Sequence, residues 1–455
     1  MPEHPEPVFL PPPRLSLRTR LRGSHGVRSG VLVGAATLVA SVAGYLFQTA
    51  AIRFVGAASY SDIATLLALT TVIAVPLGSV QTLLARETAY LSALQAKAEL
   101  RGFIRQVLRI AVPAAVAVLA ISLAFSVPIE HALNIESPEV VIAGLSALPF
   151  LILGAILYGF LQGTQRFRAL AVNYSVSGLA RPLLVVPVLF ASLGAAGALG
   201  VNTLAALGAV ALAVYALRDL LFSRGAVAPA PTTHHLKVVD RREVAVLMVG
   251  SLAFASLTNL DIVLASYYLD SDAAGVYAAA ALVGKFVLLM PAAVSMVLLP
   301  KAASQAASGR DSRRILLLSA GVSLAITLTA TAVLAVTPAR VMVWAFGPDF
   351  AGSAELLGWF GLAMTAAALV NVYLFVYLAH KDLRFPLLVG TAAVAQVVIV
   401  ALWHPDPRAI VLSTVICCTA VMAIHEVAFP NRLARLLRRR GGVVPPAPPP
   451  PGPIL

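Results

Sequence analysis

The sequence predicts an all-α polytopic membrane protein with about 12 transmembrane helices in two six-helix lobes. Three observations predict this fold: long apolar runs fill the chain, only 12% of its residues are charged, and its basic residues cluster on alternate connections. A bilayer core about 30 Å thick needs roughly 20 apolar residues per helical crossing. A mean hydropathy of +0.89 excludes a soluble domain. We therefore assign the net charge of +13 to loops that face lipid headgroups, and not to nucleic-acid binding.

Each apolar run is long enough to cross the bilayer once. The predicted spans are 30–52, 62–84, 106–127, 140–162, 169–191, 195–217, 244–267, 274–299, 315–336, 355–378, 385–404 and 408–429. The segment before the first run contains no short apolar core followed by a small-residue cleavage site. We therefore expect the first span to be retained, and not removed as a signal peptide.

The distribution of basic residues predicts the orientation. Of the 33 Lys and Arg residues, 28 lie on the chain ends and on alternate connections. Arg53, Arg340 and Arg408 lie on the opposite side, and Arg181 and Lys285 lie inside spans. Because the side rich in Lys and Arg is cytoplasmic in most membrane proteins, we expect both termini in the cytoplasm and the protein in the cytoplasmic membrane.

The longest connection between spans divides the chain near its middle. The predicted order is a Pro/Arg-rich segment 1–29, a first lobe 30–217, a linker 218–243, a second lobe 244–429 and a basic, then Pro-rich, tail 430–455. The tail is interpreted as a solvated segment, and a docking role is the alternative.

The two lobes contain a weak internal repeat. Segments 59–86 and 274–301 align at an offset of 215, which matches Pro76 with Pro291 and Arg86 with Lys301. Equal span numbers and the same orientation indicate a parallel repeat about an axis along the membrane normal. Transporters with such repeats bind substrate between the halves. Chance resemblance between apolar helices is the alternative interpretation.

Polar groups inside the predicted spans are candidate site residues, because charges in a membrane are costly and usually face a cavity or a partner. Lys285 and Asp261 lie on adjacent spans, with Asn259 close to Asp261 in sequence. Their depths differ by about 9 Å at 1.5 Å per residue, which a flexible lysine partly bridges. A static interhelical ion pair is the alternative to a functional pair.

Three further polar side chains inside spans have the same ambiguity. Arg181 lies near the middle of the fifth span and is followed by Pro182, so it either lines a cavity or satisfies carbonyls freed by the proline. Gln48 and Gln81 are interpreted as cavity residues or as interhelical hydrogen-bond partners.

The sequence contains no enzyme motif. HExxH, Walker A and paired carboxylates are missing, and the two cysteines, Cys417 and Cys418, are adjacent inside the last span. We therefore predict a protein that is not an enzyme, with no catalytic residues, no metal site and no cofactor.

Three segments carry a resemblance to a known family: 53–89, the fourth-span end GFLQGTQRF (159–167), and 258–300. With the six-plus-six arrangement, the chain resembles the oligosaccharide-lipid flippases of polysaccharide biosynthesis in the multidrug/oligosaccharidyl-lipid/polysaccharide (MOP) exporter superfamily. The resemblance implies two lobes in a V, with a cavity lined mainly by the first, second, seventh and eighth spans. Those spans carry Gln48, Gln81, Asn259, Asp261 and Lys285, with Arg53 at the mouth.

The resemblance also implies a function. Family substrates are glycans on a polyprenyl diphosphate, flipped by alternating access for cell-surface polysaccharide synthesis, and a cationic cavity group suits a diphosphate. Membrane lipids and other polysaccharide-assembly proteins are the expected partners. A drug/cation antiporter of the same superfamily and a non-transporting scaffold for glycan enzymes are the alternatives.

Overall fold

The computed structural model describes residues 17–222, 241–307, 313–379 and 382–428, with side chains from residue 29 onward except at 241–243, 290–319, 376 and 379. The predicted N-terminal segment, linker and tail therefore lie largely outside the described residues. Within them the chain is helical throughout and contains no strand, as predicted.

The first lobe consists of nine helices within the described range. They are α1 (Leu17–Ala74), α2 (Leu77–Ala93), α3 (Lys97–Ala124), α4 (Ser126–Leu133), α5 (Pro138–Leu145), α6 (Leu148–Gly163), α7 (Phe167–Phe190), α8 (Gly194–Ala216) and α9 (Arg218–Leu221). The second lobe contains α10 (Arg241–Tyr268), α11 (Ser271–Ala307), α12 (Arg313–Ala335), α13 (Ala339–Phe346), a 3-10 turn (Pro348–Ser353), α14 (Ala354–Ala379), α15 (Arg384–Leu402) and α16 (Pro407–Ala428).

The number of crossings agrees with the predicted twelve. Ten helical segments are long and apolar enough to span a membrane, and a pair bent by 90°, Ala320–Ala335 with Ala339–Phe346, makes an eleventh. The first of the ten, Ser29–Ala93, has 65 residues. A straight helix of that length would be about 100 Å long, three times the bilayer core, so it supplies two crossings. The predicted fold class is confirmed, and the protein is a multi-pass membrane protein.

The turn between the first two spans is much shorter than predicted. A connection was expected between 52 and 62, but α1 stays helical there and reverses at Gly56, which has φ 78° and ψ 175°. This backbone region is essentially restricted to glycine. The hydroxyl of Tyr60 lies 3.4 Å from Gln48 Oε1, across the hairpin. The predicted second span is broken again before α2 at Pro76, because proline has no N–H to continue the ladder.

The two lobes pack their helices in the same pattern. The contacts α1–α7, α2–α6, α3–α6, α6–α8 and α7–α8 in the first lobe correspond to α10–α15, α11–α14, α12–α14, α14–α16 and α15–α16 in the second. A short helix also follows the third span of each lobe, α4 in the first and α13 in the second. This correspondence agrees with the predicted parallel repeat.

The lobes share one hydrophobic core at one end of the bundle and have separate cores at the other. We call the end that bears the α2–α3, α6–α7 and α14–α15 connections the basic face, and the other end the opposite face. The half next to the opposite face, the joined half, contains one continuous core from both lobes, including Tyr60, Ile63, Tyr277 and Phe360. The half next to the basic face, the divided half, contains two cores, one around Phe160 and one around Phe385.

Close backbone approach marks the joined half. A Cβ atom added at Gly275 of α11 would lie 1.9 Å from the carbonyl oxygen of Ala57 in α1. The Ser266 hydroxyl of α10 donates to the Leu133 carbonyl of α4 at 2.9 Å. The two lobes therefore approach each other most closely near the opposite face.

Candidate functional site

A cavity of about 100 Å³ lies between the lobes, beside the joined half. Both arms of α1 contribute to its wall, together with α10 and α11. Its polar lining consists of Tyr45, Gln48, Tyr60, Thr71, Asn259 and Lys285. The first, second, seventh and eighth spans therefore meet at this inter-lobe cavity, as the family resemblance implies.

Lys285 supplies the positive charge of the inter-lobe cavity. Its Nζ donates a 3.0 Å hydrogen bond to Asn259 Oδ1 and lies 4.0 Å from Asp261 Oδ1. The lysine side chain therefore bridges the difference in depth that the sequence predicts between the two charges. The lysine side chain is 18% exposed, whereas that of Asp261 is 1% exposed.

Asp261 lies behind the lysine and does not line the cavity. Its Oδ2 accepts a 3.0 Å hydrogen bond from the Tyr277 hydroxyl of α11. Its Oδ1 has no hydrogen-bond partner among the described residues, and Lys285 is the cation that compensates it. A buried charge with an incomplete set of hydrogen bonds depends strongly on such a counter-charge. The carboxylate therefore holds the lysine from behind, and the cavity presents a cation.

Two tyrosines of this region were not predicted as site residues. Tyr277 and Tyr60 are both fully buried, and their hydroxyls bind Asp261 and Gln48 respectively. A signal for Tyr277 was available in the sequence. A buried tyrosine hydroxyl needs a partner, and Asp261 is the acidic residue well inside the neighbouring span.

The structure does not bring Arg181 to the inter-lobe cavity. Arg181 lines a second cavity, of about 150 Å³, whose walls are formed by α1, α6, α7 and α8 of the first lobe. In α7, a Cβ at Gly178 would lie 2.7 Å from the Cα of Ala40 in α1. Close packing of α7 on α1 therefore sets the face of α7 that carries Arg181 inside its own lobe. Arg181 and Lys285, both candidate site residues, therefore line different cavities.

Gln81 also lies apart from the inter-lobe cavity. Its Nε2 lies 3.4 Å from Gln162 Oε1 and 3.3 Å from the hydroxyl of Tyr174, so α2 is bonded to α6 and α7. Tyr174 also lines the cavity of Arg181. Of the two interpretations open for Gln81, the structure shows the interhelical hydrogen-bond partner.

Arg53 lies at the opposite face and joins the lobes. Its Nη1 donates to the carbonyl of Trp344 at 3.0 Å and to that of Val343 at 3.4 Å, in the last turn of α13. A helix C-terminus carries unpaired carbonyls and partial negative charge, so a guanidinium is stabilising there. In this conformation Arg53 therefore bonds to backbone across the lobes, and it is not among the residues that line the inter-lobe cavity.

Metal ligands do not cluster in the part of the chain that the structure describes. It contains no group of three or more His, Cys, Asp or Glu side chains able to hold a metal ion. Cys417 and Cys418 are free and buried.

Solved structures of membrane transporters share this fold. The chain is similar to the lipid II flippase MurJ in an inward closed conformation, with a TM-score of 0.67, 14% identity, and 87% of each chain covered. It is also similar to an inward-facing multidrug resistance MATE family transporter of the MOP superfamily, with a TM-score of 0.62, 12% identity, and 90% of this chain and 99% of the other covered. An outward-facing MATE family transporter gives a TM-score of 0.55 at 13% identity, with 90% and 96% covered. No family model and no curated protein matches the sequence. At these identities the likeness establishes the fold of MOP superfamily transporters.

Proposed function

We propose that this protein is a flippase that moves polyprenyl-diphosphate-linked oligosaccharide across the cytoplasmic membrane for cell-surface polysaccharide biosynthesis. One observation carries the proposal: the inter-lobe cavity exposes the ammonium of Lys285, while the carboxylate of Asp261 is buried behind it. A cation in a low-dielectric cavity attracts the anionic oxygens of a diphosphate and repels a cationic drug.

The proposed transport proceeds by alternating access. The inter-lobe cavity, at about 100 Å³, is smaller than the roughly 300–1,000 Å³ of pockets that hold drug-sized ligands, so the lobes must separate to admit a glycan headgroup. The divided half, where each lobe has its own core, is the end at which we expect them to separate. The lipid tail remains in the bilayer while the headgroup enters between the lobes.

The proposed orientation sets the basic face in the cytoplasm, with both termini on that side. Cysteine substitution tests it, because the native cysteines are buried. A cysteine at Glu139, exposed near the opposite face, should react in intact cells with an impermeant reagent, whereas one at Gln95, exposed on the basic face, should react only after permeabilisation. The reverse labelling pattern would contradict the orientation.

The proposed partners follow from this pathway. Membrane lipids surround the exposed apolar side chains, and other polysaccharide-assembly proteins supply the lipid-linked glycan and extend it after transfer.

The six-helix lobes, 30–217 and 244–429, move relative to each other, and the linker and tail remain cytoplasmic. The scaffold alternative depends on the Pro-rich tail, so full transport by a chain ending at residue 429 would exclude it.

Drug or cation export is the second candidate function. Asp261 Oδ1 has no hydrogen-bond partner among the described residues, so a proton or a cation entering beside Lys285 could be bound there. Export of this kind predicts that Asp261→Asn abolishes drug resistance, whereas Lys285→Ala preserves it.

A transport assay in vesicles tests the proposed substrate. Lys285→Ala should reduce transfer of a fluorescent polyprenyl-diphosphate oligosaccharide by roughly ten- to a hundredfold, the equivalent of one charge-assisted hydrogen bond. Lys285→Arg should retain part of the rate, because the charge remains while its geometry changes. Lys97→Ala, which removes an exposed lysine at the start of α3, is the matched control and should transport normally.

A double variant separates a substrate contact from a static ion pair. If the pair is only structural, Asp261→Asn combined with Lys285→Met should recover both expression and transport, because neither charge remains unpaired. If Lys285 binds the diphosphate, this variant should be expressed but should not transport. Full transport by the double variant would therefore contradict the proposed role of Lys285.

A further inference from the structure

The cavity of the first lobe is lined by an arginine that has no hydrogen-bond or ion-pair partner among the described residues. Arg181 makes no hydrogen bond and no ion pair with any described residue, and its Nε is buried. No carboxylate is among the residues that line the cavity in the described part of the chain. The Arg181 side chain is half-buried, and a cation without a counter-charge among the described residues is expensive in a membrane-embedded lobe, so this cavity favours an occupant that compensates it.

The other polar groups of the cavity add an unused donor. Tyr158 donates to Asn173 Oδ1 at 2.9 Å, and Ser177 donates to the Asn173 carbonyl at 2.6 Å, so both of these protons are in use. The Tyr174 hydroxyl accepts from Gln81 at 3.3 Å, and its own proton has no acceptor among the described residues. The cavity therefore offers N–H and O–H donors, on Arg181 and Tyr174, in excess of the acceptors that could use them.

The size of the cavity limits the occupant. At about 150 Å³ the cavity is smaller than the roughly 300–1,000 Å³ of pockets that hold drug-sized ligands, so it suits an inorganic ion with a few waters and not a glycan diphosphate. The occupant is thus distinct from the substrate of the inter-lobe cavity. We propose that the first lobe binds a small inorganic anion, a halide or an inorganic phosphate, between the guanidinium of Arg181 and the hydroxyl of Tyr174.

The bound anion would connect to the interface between the lobes. Tyr174 is bonded to Gln81 of α2, and Ser79, two residues earlier on that helix, lies 3.5 Å from Ser251 of α10 in the other lobe. A change in the position of Tyr174 when the anion binds is therefore transmitted to a helix that contacts the second lobe. This site does not depend on the identity of the transported substrate.

Direct binding to the purified protein tests the proposal without any glycan. The probes are radiolabelled chloride and radiolabelled inorganic phosphate, measured by scintillation proximity on the full chain in detergent. At least one probe should bind saturably to the wild type. Arg181→Gln should abolish this binding, and Tyr174→Phe should weaken it by about two- to tenfold through loss of one hydrogen bond.

Two variants locate the bound ion. Arg168→Gln removes an exposed arginine from the same helix and should bind like the wild type. Lys285→Ala removes the cation of the other cavity and should retain the binding.

Tyr174→Phe is informative even if Arg181→Gln does not fold, because it removes only a hydroxyl. Absence of saturable binding of both probes, unchanged binding by folded Arg181→Gln, or loss of binding in Lys285→Ala would each overturn the proposal. Native mass spectrometry of the wild type and of Arg181→Gln provides a further test. If the wild type carries a bound phospholipid that Arg181→Gln lacks, and no bound free ion, the proposal is overturned.

Discussion

The joined half and the divided half are built from the same long helices, yet the lobes share one core in the first and have two cores in the second. In the joined half, α11 presents four consecutive alanines, 278–281, all buried, and Gly275 touches the backbone of α1. In the divided half, large aromatic side chains pack within their own lobe, Phe103 on Phe160 and Tyr377 on Phe385.

This difference shows where close backbone packing joins two lobes in a membrane. Lipid tails are as apolar as leucine, so helices associate through close packing and hydrogen bonds, and small residues permit that approach. The joined half has the small residues and the cross-lobe hydrogen bonds of Ser266 and Arg53. The divided half lacks a shared core in the described residues, so separating the lobes there exposes little that was packed between them.

The largest expected effect comes from breaking the joined half at its tightest contact. Gly275→Ala would set a methyl group 1.9 Å from the Ala57 carbonyl, so the backbones must move apart. We expect a loss of about 1–3 kcal/mol or more in stability, with loss of transport. Thermal unfolding of the purified protein measures the loss.

Gly200→Ala is the matched control for this variant. It adds the same methyl group within α8, where no heavy atom lies within 4 Å. We expect it to be neutral or slightly stabilising, because alanine is the better helix former. Equal effects of the two substitutions would contradict the importance of the close contact between α1 and α11.

A cross-link in the divided half should stop transport without unfolding the protein. The hydroxyl oxygens of Ser79 and Ser251 lie 3.5 Å apart on α2 and α10. Oxidising the double variant Ser79→Cys/Ser251→Cys should hold these helices together and abolish transport, and a reductant should restore it. Each single cysteine variant, oxidised in the same way, is the control. Undiminished transport by fully cross-linked protein would mean that this half need not open.

A smaller effect is expected from removing the arginine that joins the lobes at the opposite face. Arg53→Gln loses the hydrogen bonds to the last turn of α13, and because Arg53 is exposed the cost should be about 0.5–1.5 kcal/mol. Amide exchange in α13 should become faster by roughly two- to tenfold. Arg340→Gln, which changes an exposed arginine of α13 itself, is the control. Unaltered exchange in the Arg53 variant would show that these bonds do not stabilise the joined half.

The smallest effect concerns an ion pair at the basic face, within the first lobe. Arg166 Nη2 lies 2.5 Å from Asp219 Oδ2, and Arg166 lowers the pKa of this carboxyl below its ordinary value of 3.8. Asp219 therefore stabilises the folded protein fully above the pKa that its carboxyl has in the unfolded chain. This stabilisation is lost as the pH falls through the lower pKa of the folded state. Both side chains are partly exposed, so Asp219→Asn should cost at most about 1 kcal/mol.

The measurement for Asp219 is thermal unfolding as a function of pH. Between pH 5 and 8 the difference between wild type and Asp219→Asn should be constant, because the carboxylate stays ionised throughout. A difference that changed with pH in this range would contradict the lowered pKa of Asp219.

The sequence by itself determined the fold class, the approximate positions of the spans and the internal repeat that relates the two lobes. These properties are local or compositional. Bilayer thickness fixes the length of each apolar run, and Pro76 interrupts its helix whatever that helix packs against. The proximity of Lys285 to Asp261 was also predictable, because a short hairpin joins their helices and fixes their relative depth.

Tertiary structure alone decided which faces of the helices meet. Arg181 and Lys285 are both cations near the middle of a span, yet packing encloses one within the first lobe and sets the other between the lobes. Likewise, Arg53 bonds to carbonyls nearly 300 positions away in the chain. Sequence could not decide these points, because lipid-facing and core-facing side chains of a membrane helix are equally apolar, so periodicity does not reveal the rotation of a helix about its axis.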